Sequence, residues 1–237
     1  MKNIKLMTLN LWCCFDWNNR IDAIRKFIDE EQPDIIAFQE AQINTHYSDS
    51  PSSNLLTDDT YPHHTYEPAW EVTSFMPYDE HSNTRQSHGL AIASKYPIIS
   101  HEIVRLTLHA GREEPAIALL CTLNIEGVKT HVCNVHFDNT DETSKAHLGE
   151  LMLHLKKQNI KPIILGDFNI FSLADYSDTF LVDYAISSEL SEYMSFPKND
   201  GTLDYIVAPK RYNMHSVVCP ETYMSDHRPV IASLKLD

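Results

Sequence analysis

Ile163-Ile164-Leu165-Gly166-Asp167-Phe168-Asn169 is the stretch on which the fold turns. Its three consecutive aliphatic residues form the short apolar run of a buried strand. The run stops at Asp167 and Asn169, which read either as an Asx-turn closing the strand or as functional groups delivered to its end. Just upstream, Asp141 to Gln158 places Leu148, Leu151, Met152 and Leu155 on one helical side. The same helix-then-strand order occurs earlier. Ile21, Ile24, Phe27 and Ile28 form an apolar stripe over a helix from Asn19 to Glu31, which Pro33-Asp34 stops. Ile35-Ile36-Ala37-Phe38 then reads as another buried strand, and Ile4 to Asn10 as the first one.

Further strands are expected at Leu90–Ser94, Ile98–Leu108, Ala116–Ile125, Val128–His136, Leu203–Ala208, Met214–Cys219 and Val230–Leu236, with Gly111 and Gly127 supplying turns. Many strands and few helices imply two stacked sheets covered by helices. No linker divides the chain, so residues 1–237 are expected to form a single domain. Residues 41–87 read differently. Ser48 to Thr60 is rich in Ser, Asp, Asn and Thr, and Tyr61, Tyr66, Trp70, Phe75 and Tyr78 follow among polar residues. This predicts a long irregular segment, either a functional loop or a solvated insertion.

Of the 237 residues, 43% are hydrophobic and 22% charged, a globular balance that excludes wholesale disorder. The formal charge of −14 argues against sequence-blind nucleic-acid binding, which needs basic surface to neutralise phosphates. It leaves room for a local basic or metal-neutralised site and shifts the expectation toward a small substrate. No stretch approaches the ~18 apolar residues of a transmembrane segment. The opening residues are too short for a signal-peptide core and read as a strand. Cys13, Cys14, Cys121, Cys133 and Cys219 show no CxxC spacing, so neither a disulfide framework nor a cysteine zinc site is expected. Reduced cytoplasm is the expected compartment; a leader removed by secretion would leave no trace here.

Polar side chains gather where the expected strands end: Asn10, Glu40, His136, Asp167 with Asn169, Asp204, and Asp226-His227. Each alone has an ordinary reading. Asn10 can cap a turn, Glu40 can leave the core for solvent, and His136 is one of 13 histidines. Together they are the inventory for binding a hard divalent cation and hydrolysing a phosphate ester. Oxygen ligands select Mg²⁺ or Mn²⁺, and a histidine beside a carboxylate can take a proton from water near neutral pH.

The motifs Thr8-Leu9-Asn10, Phe38-Gln39-Glu40, Asn134-Val135-His136, Gly166-Asp167-Phe168-Asn169, Leu203-Asp204-Tyr205-Ile206 and Ser225-Asp226-His227-Arg228-Pro229 occur in that order. They resemble those of the endonuclease/exonuclease/phosphatase superfamily, as does Gly89 to Ile98. The resemblance implies a four-layer α/β sandwich with two central, mainly antiparallel sheets flanked by helices. It implies Glu40 as principal metal ligand, with Asn10 beside it and Asp226 completing the shell around Mg²⁺, or Mn²⁺. His227 would orient or deprotonate the attacking water, with Asp204 holding its imidazole. Asp167 and Asn169 would position nucleophile and phosphate, and His136 would contact the phosphate as charge builds. His88 would lie near the substrate or be a surface histidine. One position departs from the pattern. Some members carry an acid two residues after the first asparagine, where this chain has Trp12, which would line the pocket or be buried in the core.

The motifs leave the substrate open. Lys156-Lys157 reads as a solvated helix face, and Lys210-Arg211 as either solvated or a phosphate contact. The aromatic 61–78 stretch suits a wall for a small or lipid-like phosphate ester. No amphipathic basic helix supports membrane attachment. The expectation is a Mg²⁺-dependent phosphodiesterase or phosphatase. The alternatives are a DNA endonuclease or exonuclease of the same superfamily, disfavoured by the acidic charge, and a binding module without catalysis. A zinc hydrolase is disfavoured because no HxxxH or HxH spacing occurs.

Overall fold

Two strand–helix–strand units organise the chain, and the computed structural model describes them within residues 2–13, 15–44, 59–72, 86–109 and 115–236. In the first unit, β1 (Lys2–Asn10) leads through α1 (Trp17–Glu31) to β2 (Ile35–Asn44). Then come β3 (His63–Val72), β4 (Gln86–Ser94), β5 (Ile98–Arg105) and β6 (Ile117–Ile125). In the second unit, β7 (Val128–His136) leads through α2 (Asp141–Gln158) to β8 (Ile163–Asp167). The chain ends with β9 (Tyr184–Ile186), a short α3 (Ser187–Leu190), β10 (Asp204–Pro209), β11 (Asn213–Val218) and β12 (Val230–Leu236).

Six strands form one sheet in the order β11-β12-β1-β2-β4-β3, and six form the other in the order β5-β6-β7-β8-β10-β9. The β1–β2 and β7–β8 pairs are parallel, and each is joined through the long helical crossover that a parallel pair requires. The remaining pairs are antiparallel. Between the sheets lies a core that includes Leu6, Ala37, Leu119, Leu165, Ile206 and Ala232. The outer face of the first sheet packs Met7, Leu9 and Phe38 under Ile24 and Ile28 of α1. The outer face of the second packs Cys133, Val135 and Ile164 under Leu148, Leu151 and Leu155 of α2. Central strands are therefore covered on both faces, which explains the unbroken apolar runs in β2 and β8. The result is the α/β sandwich expected from the sequence.

A buried polar seam joins the sheets just behind the strand ends. Asn134 on β7 donates from Nδ2 to the carbonyls of Phe38 and Ala91, at 2.8 and 2.9 Å. Those residues flank a register shift between β2 and β4, and the donors serve backbone there. Gln39 Nε2 donates to Asn134 Oδ1 at 2.7 Å, and Thr8 Oγ1 donates to Gln39 Oε1 at 3.2 Å. Every member of the seam is buried and hydrogen-bonded, so it aligns the sheets without leaving an unmatched dipole.

The irregular segment expected over residues 41–87 is corrected where it is described. β2 runs on to Asn44, β3 spans His63–Val72 and β4 begins at Gln86. β3 is an edge strand, half-buried and polar, with a register shift between Pro68 and Trp70. A proline and an uneven polar pattern are tolerated at an edge, and they hid the strand in the sequence. Residues 45–58 and 73–85, with Phe75 and Tyr78, lie outside the described residues, as does Gly111. The three-residue β9 was also not expected; it is shorter than a periodic pattern needs to show itself.

Candidate active site

Two local distortions place the central carboxylates. Glu40 has φ 51, a left-handed conformation, at the register shift between Phe38 and Ala41. This bulge takes the side chain out of strand alternation and turns it toward a cleft at the strand ends. Asp167 follows Gly166, whose φ is +148 and where a Cβ would sit 2.0 Å from the Val135 carbonyl oxygen. Only glycine lets β8 lie this close to β7. Asn169, at φ 51, is held by its own backbone N–H on Asp167 Oδ1 at 3.0 Å and by Nδ2 on the Phe137 carbonyl at 2.9 Å. Left-handed backbone at two non-glycine residues beside one cleft is strain kept in place by surrounding bonds.

The side chains then form a connected chain across both sheets. Asn10 donates from Nδ2 to Glu40 Oε1 and to Asp167 Oδ2, each at 3.1 Å. Its Oδ1 accepts the Trp12 backbone N–H at 2.9 Å, which sets the amide orientation. Asp167 Oδ2 lies 3.6 Å from His136 Nε2 and 3.8 Å from His227 Nε2. His227 Nδ1 meets Asp204 Oδ2 at 2.8 Å, with both residues buried. On the other side, His88 Nε2 lies 3.7 Å from Glu40 Oε2, and Trp70 Nε1 donates to His88 Nδ1 at 3.3 Å.

Electrostatics follow from this geometry. Burial would raise the Glu40 carboxyl, but the hydrogen bond and charge of His88, the charge of His136 and the Asn10 amide lower it to about 2. Burial would lower the His227 imidazole, but the Asp204 and Asp167 carboxylates outweigh it and raise it to about 10. Asp204 is raised by burial, with His227 opposing. Asp226 is raised by burial and, among the charges near it, by Glu40, while His227 opposes.

A cleft of about 620 Å³ gathers Glu40, His88, His136, Asp167, Asn169, Asp226 and His227. Trp70, Phe137, Phe171 and Phe196 give it aromatic walls. Asn10 and Asp204 are fully buried and support the residues that line it. All nine side chains singled out in the sequence therefore lie in the cleft or in direct contact with its lining residues. Trp12 stacks on Phe15 at 5.3 Å, with the Arg20 guanidinium over its ring, and the lining residue at that place is Cys13. Arg211 lies elsewhere, over the Tyr212 ring, and Lys210 Nζ donates to the Val182 carbonyl. Neither lines the cleft.

Sequence reasoning missed four supporting residues. Ser195 Oγ accepts the backbone N–H of Leu203 and Asp204, each at 3.0 Å, and its carbonyl accepts the Arg228 N–H at 2.7 Å. It thus braces both members of the His227–Asp204 pair. The Phe196 ring lies 4.6 Å from the His227 ring, shielding it. Ser225 donates to the Asn10 carbonyl at 2.7 Å, tying the His227 loop to β1. Arg20, buried in α1, donates to the carbonyls of Leu11 and Met224, each at 2.9 Å. Only Ser225 falls in a recognisable motif; a lone serine, phenylalanine or arginine carries no sequence signal of such a role.

Ligand atoms of Asp167, Asp204 and His227 all lie within 4.8 Å of one another, an acidic/His cluster of metal-binding type in which Asp204 and His227 already engage each other. A family model described as the Endonuclease/Exonuclease/phosphatase family matches residues 7–227. Among curated proteins, none matches the sequence. Solved structures do. An endonuclease/exonuclease/phosphatase from Beutenbergia cavernae superposes with a TM-score of 0.81 at 18% identity, over 100% of this chain and 72% of that one. The human Nocturnin catalytic domain, solved with a bound sulfate anion, gives 0.77 at 22% identity over 99% and 94%. Sphingomyelinase C from Streptomyces griseocarneus gives 0.68 at 18% identity over 98% and 99%. At these identities the likeness is one of fold.

Proposed function

The chain belongs to the endonuclease/exonuclease/phosphatase family, whose members hydrolyse phosphate esters, and from that premise we propose that it cleaves a phosphodiester or phosphomonoester of a small or lipid-like substrate with Mg²⁺, or Mn²⁺, bound. The observation that carries this reading is the His227–Asp204 contact of 2.8 Å, placed beside a carboxylate-rich cleft.

The donor set fits a hard cation. Glu40 is held ionised at about 2, and Asp226 is disfavoured as an anion by burial and by Glu40, an imbalance that a cation would relieve. Oxygen donors without thiolate select Mg²⁺ or Mn²⁺ over softer metals. Glu40 would hold the ion, with Asp226 beside it and the Asn10 amide orienting Glu40 through its N–H. When bound, it would neutralise charge building on the phosphoryl oxygens and favour the neutral imidazole of His227.

The protein's own side chains supply the rest. Asp204 fixes the His227 tautomer, leaving Nε2 to take a proton from the attacking water. Asp167, anchored by Asn10 and by the Asn169 N–H, holds that water between the two histidines. His136 and Asn169 contact the phosphate, His136 as a donor to the developing charge. His88 meets the substrate at the Glu40 side. The Trp70, Phe137, Phe171 and Phe196 walls suit an ester with an apolar or aromatic body. The −14 charge makes long nucleic acid a poor fit. In this reading residues 1–237 act as one unit. No described helix is long and apolar enough to cross a membrane. Cys121, Cys133 and Cys219 stand outside any disulfide among the described residues, which supports a reduced, cytoplasmic setting.

The test is a Mg²⁺-dependent activity screen over nucleotides, phospholipids, sugar phosphates and duplex DNA at physiological salt. Turnover of a small or lipid-like ester, with poor cutting of the duplex, is expected. Efficient duplex cleavage would replace the substrate assignment with a nuclease, and no turnover of any ester would leave only a binding module.

A further inference from the structure

A second concavity, of about 780 Å³, lies at the opposite end of the second sheet from the cleft. Its lining residues sit where β7 and β8 begin and beyond the end of β10: His131, Ile160, Lys161 and Arg211. The cleft residues His136 and Asp167, and Asp204 behind them, sit at the other ends of those strands. His131 and His136 are separated by roughly 17 Å of strand. The groove is thus independent of the proposed catalytic machinery.

Its walls are apolar and open to solvent. Leu153, Phe180 and Val182 line it while being 54%, 41% and 55% exposed. Gly149, in the middle of α2, makes room for the Phe180 ring, since a Cβ there would come 3.3 Å from its Cζ. Glycine inside a helix costs about 1 kcal/mol, so this gap is kept against helix propensity. Cations stand around the groove: Lys156, Lys161 and Arg211 line it, and Lys210 Nζ donates to the carbonyl of the lining residue Val182. One acid lines it, Asp183, paired to Lys161 at 2.7 Å. A net positive rim on a chain of charge −14 is a local reversal of sign. Tyr184 lines the groove too; it is 2% exposed, and its hydroxyl has no hydrogen-bond partner among the described residues. Leaving such a group unpaired is costly, and a polar ligand head would relieve it. The volume falls within the ~300–1,000 Å³ of small-molecule sites.

We infer that this groove binds a small anionic amphiphile, its apolar body against Leu153, Phe180 and Val182 and its anionic head among Lys156, Arg211 and the Tyr184 hydroxyl. Charge complementarity with the basic rim selects the anionic head, and the half-enclosed apolar wall selects a body of one short chain or ring. Inorganic anions lack the body, and neutral amphiphiles lack the head.

The experiment titrates the full chain by calorimetry with decyl sulfonate below its micelle concentration, a probe with no ester to hydrolyse. Inorganic sulfate and decyl glucoside serve as head-only and body-only controls. Saturable binding of one decyl sulfonate per chain is expected, at least tenfold tighter than either control. Lys156→Glu and Phe180→Asp, at exposed positions, should each weaken it at least tenfold while His227→Ala leaves it unchanged. Unchanged affinity in the two groove variants, loss of binding in His227→Ala, equal binding of decyl glucoside, or binding to anionic vesicles alone would each overturn the assignment.

Discussion

Asn10 and Asp167 touch across the two sheets, Nδ2 to Oδ2 at 3.1 Å, although they are 157 positions apart in sequence. The same amide also reaches Glu40, so one side chain on β1 sets the spacing of two carboxylates. Its orientation is fixed by the Trp12 N–H, which is how the residue two positions after Asn10 contributes without being acidic.

Replacing Asn10 with Ala should therefore lower kcat more than it raises KM, by about 10–100-fold, the scale on which lost supporting bonds act at metal sites. Steady-state kinetics on an activated phosphodiester with Mg²⁺ checks this. A change in KM alone would make Asn10 a substrate contact.

Glu40→Gln keeps the shape of the side chain and removes its charge. Activity should fall at least ~100-fold, with weaker Mg²⁺ activation and unaltered circular dichroism. Chelation of the wild-type chain should abolish turnover and Mg²⁺ or Mn²⁺ should restore it. Full activity in excess chelator would contradict the metal assignment.

His227 supplies a pH signature in the metal-free protein. Its folded value, raised to about 10 by Asp204 and Asp167 against burial, lies above the ordinary 6.5. A raised value for a base means that its contribution to stability is complete below about pH 6.5 and is lost as pH rises through about 10. The gap in urea midpoint between wild type and His227→Gln should shrink over that window. A gap independent of pH would show that the imidazole is not held charged.

Gly166→Ala tests the strand crowding that delivers Asp167. A Cβ there would meet the Val135 carbonyl oxygen at 2.0 Å, so the change should cost at least ~3 kcal/mol. Gly127→Ala, at a turn with nothing within 4 Å of the added atom, should cost only about 1–2 kcal/mol for its backbone. Equal losses in chemical denaturation would contradict this.

The strand ends were legible in the sequence because strands buried on both faces leave continuous apolar runs, and a carboxylate or carboxamide after such a run stands out. Ile163 to Asn169 is the clearest case. Edge strand β3 was not legible, since Pro68 and its polar neighbours obey no single period. The carboxylates and histidines of the cleft were visible through their motifs. Ser195 and Phe196 were not, because their roles depend on where an irregular stretch passes the His227–Asp204 pair. The Glu40 bulge was also hidden, since no glycine marks its left-handed backbone.

The most direct test of the hydrolytic reading is a double-mutant cycle on His227→Ala and Asp204→Asn, measured as kcat with Mg²⁺ on an activated phosphodiester. Each single change should cost about 10²–10⁴-fold, the worth of general-base catalysis, and the double change should add little. Losses that multiply would show that the two residues act separately, and near-normal turnover in His227→Ala would remove the pair from the reaction.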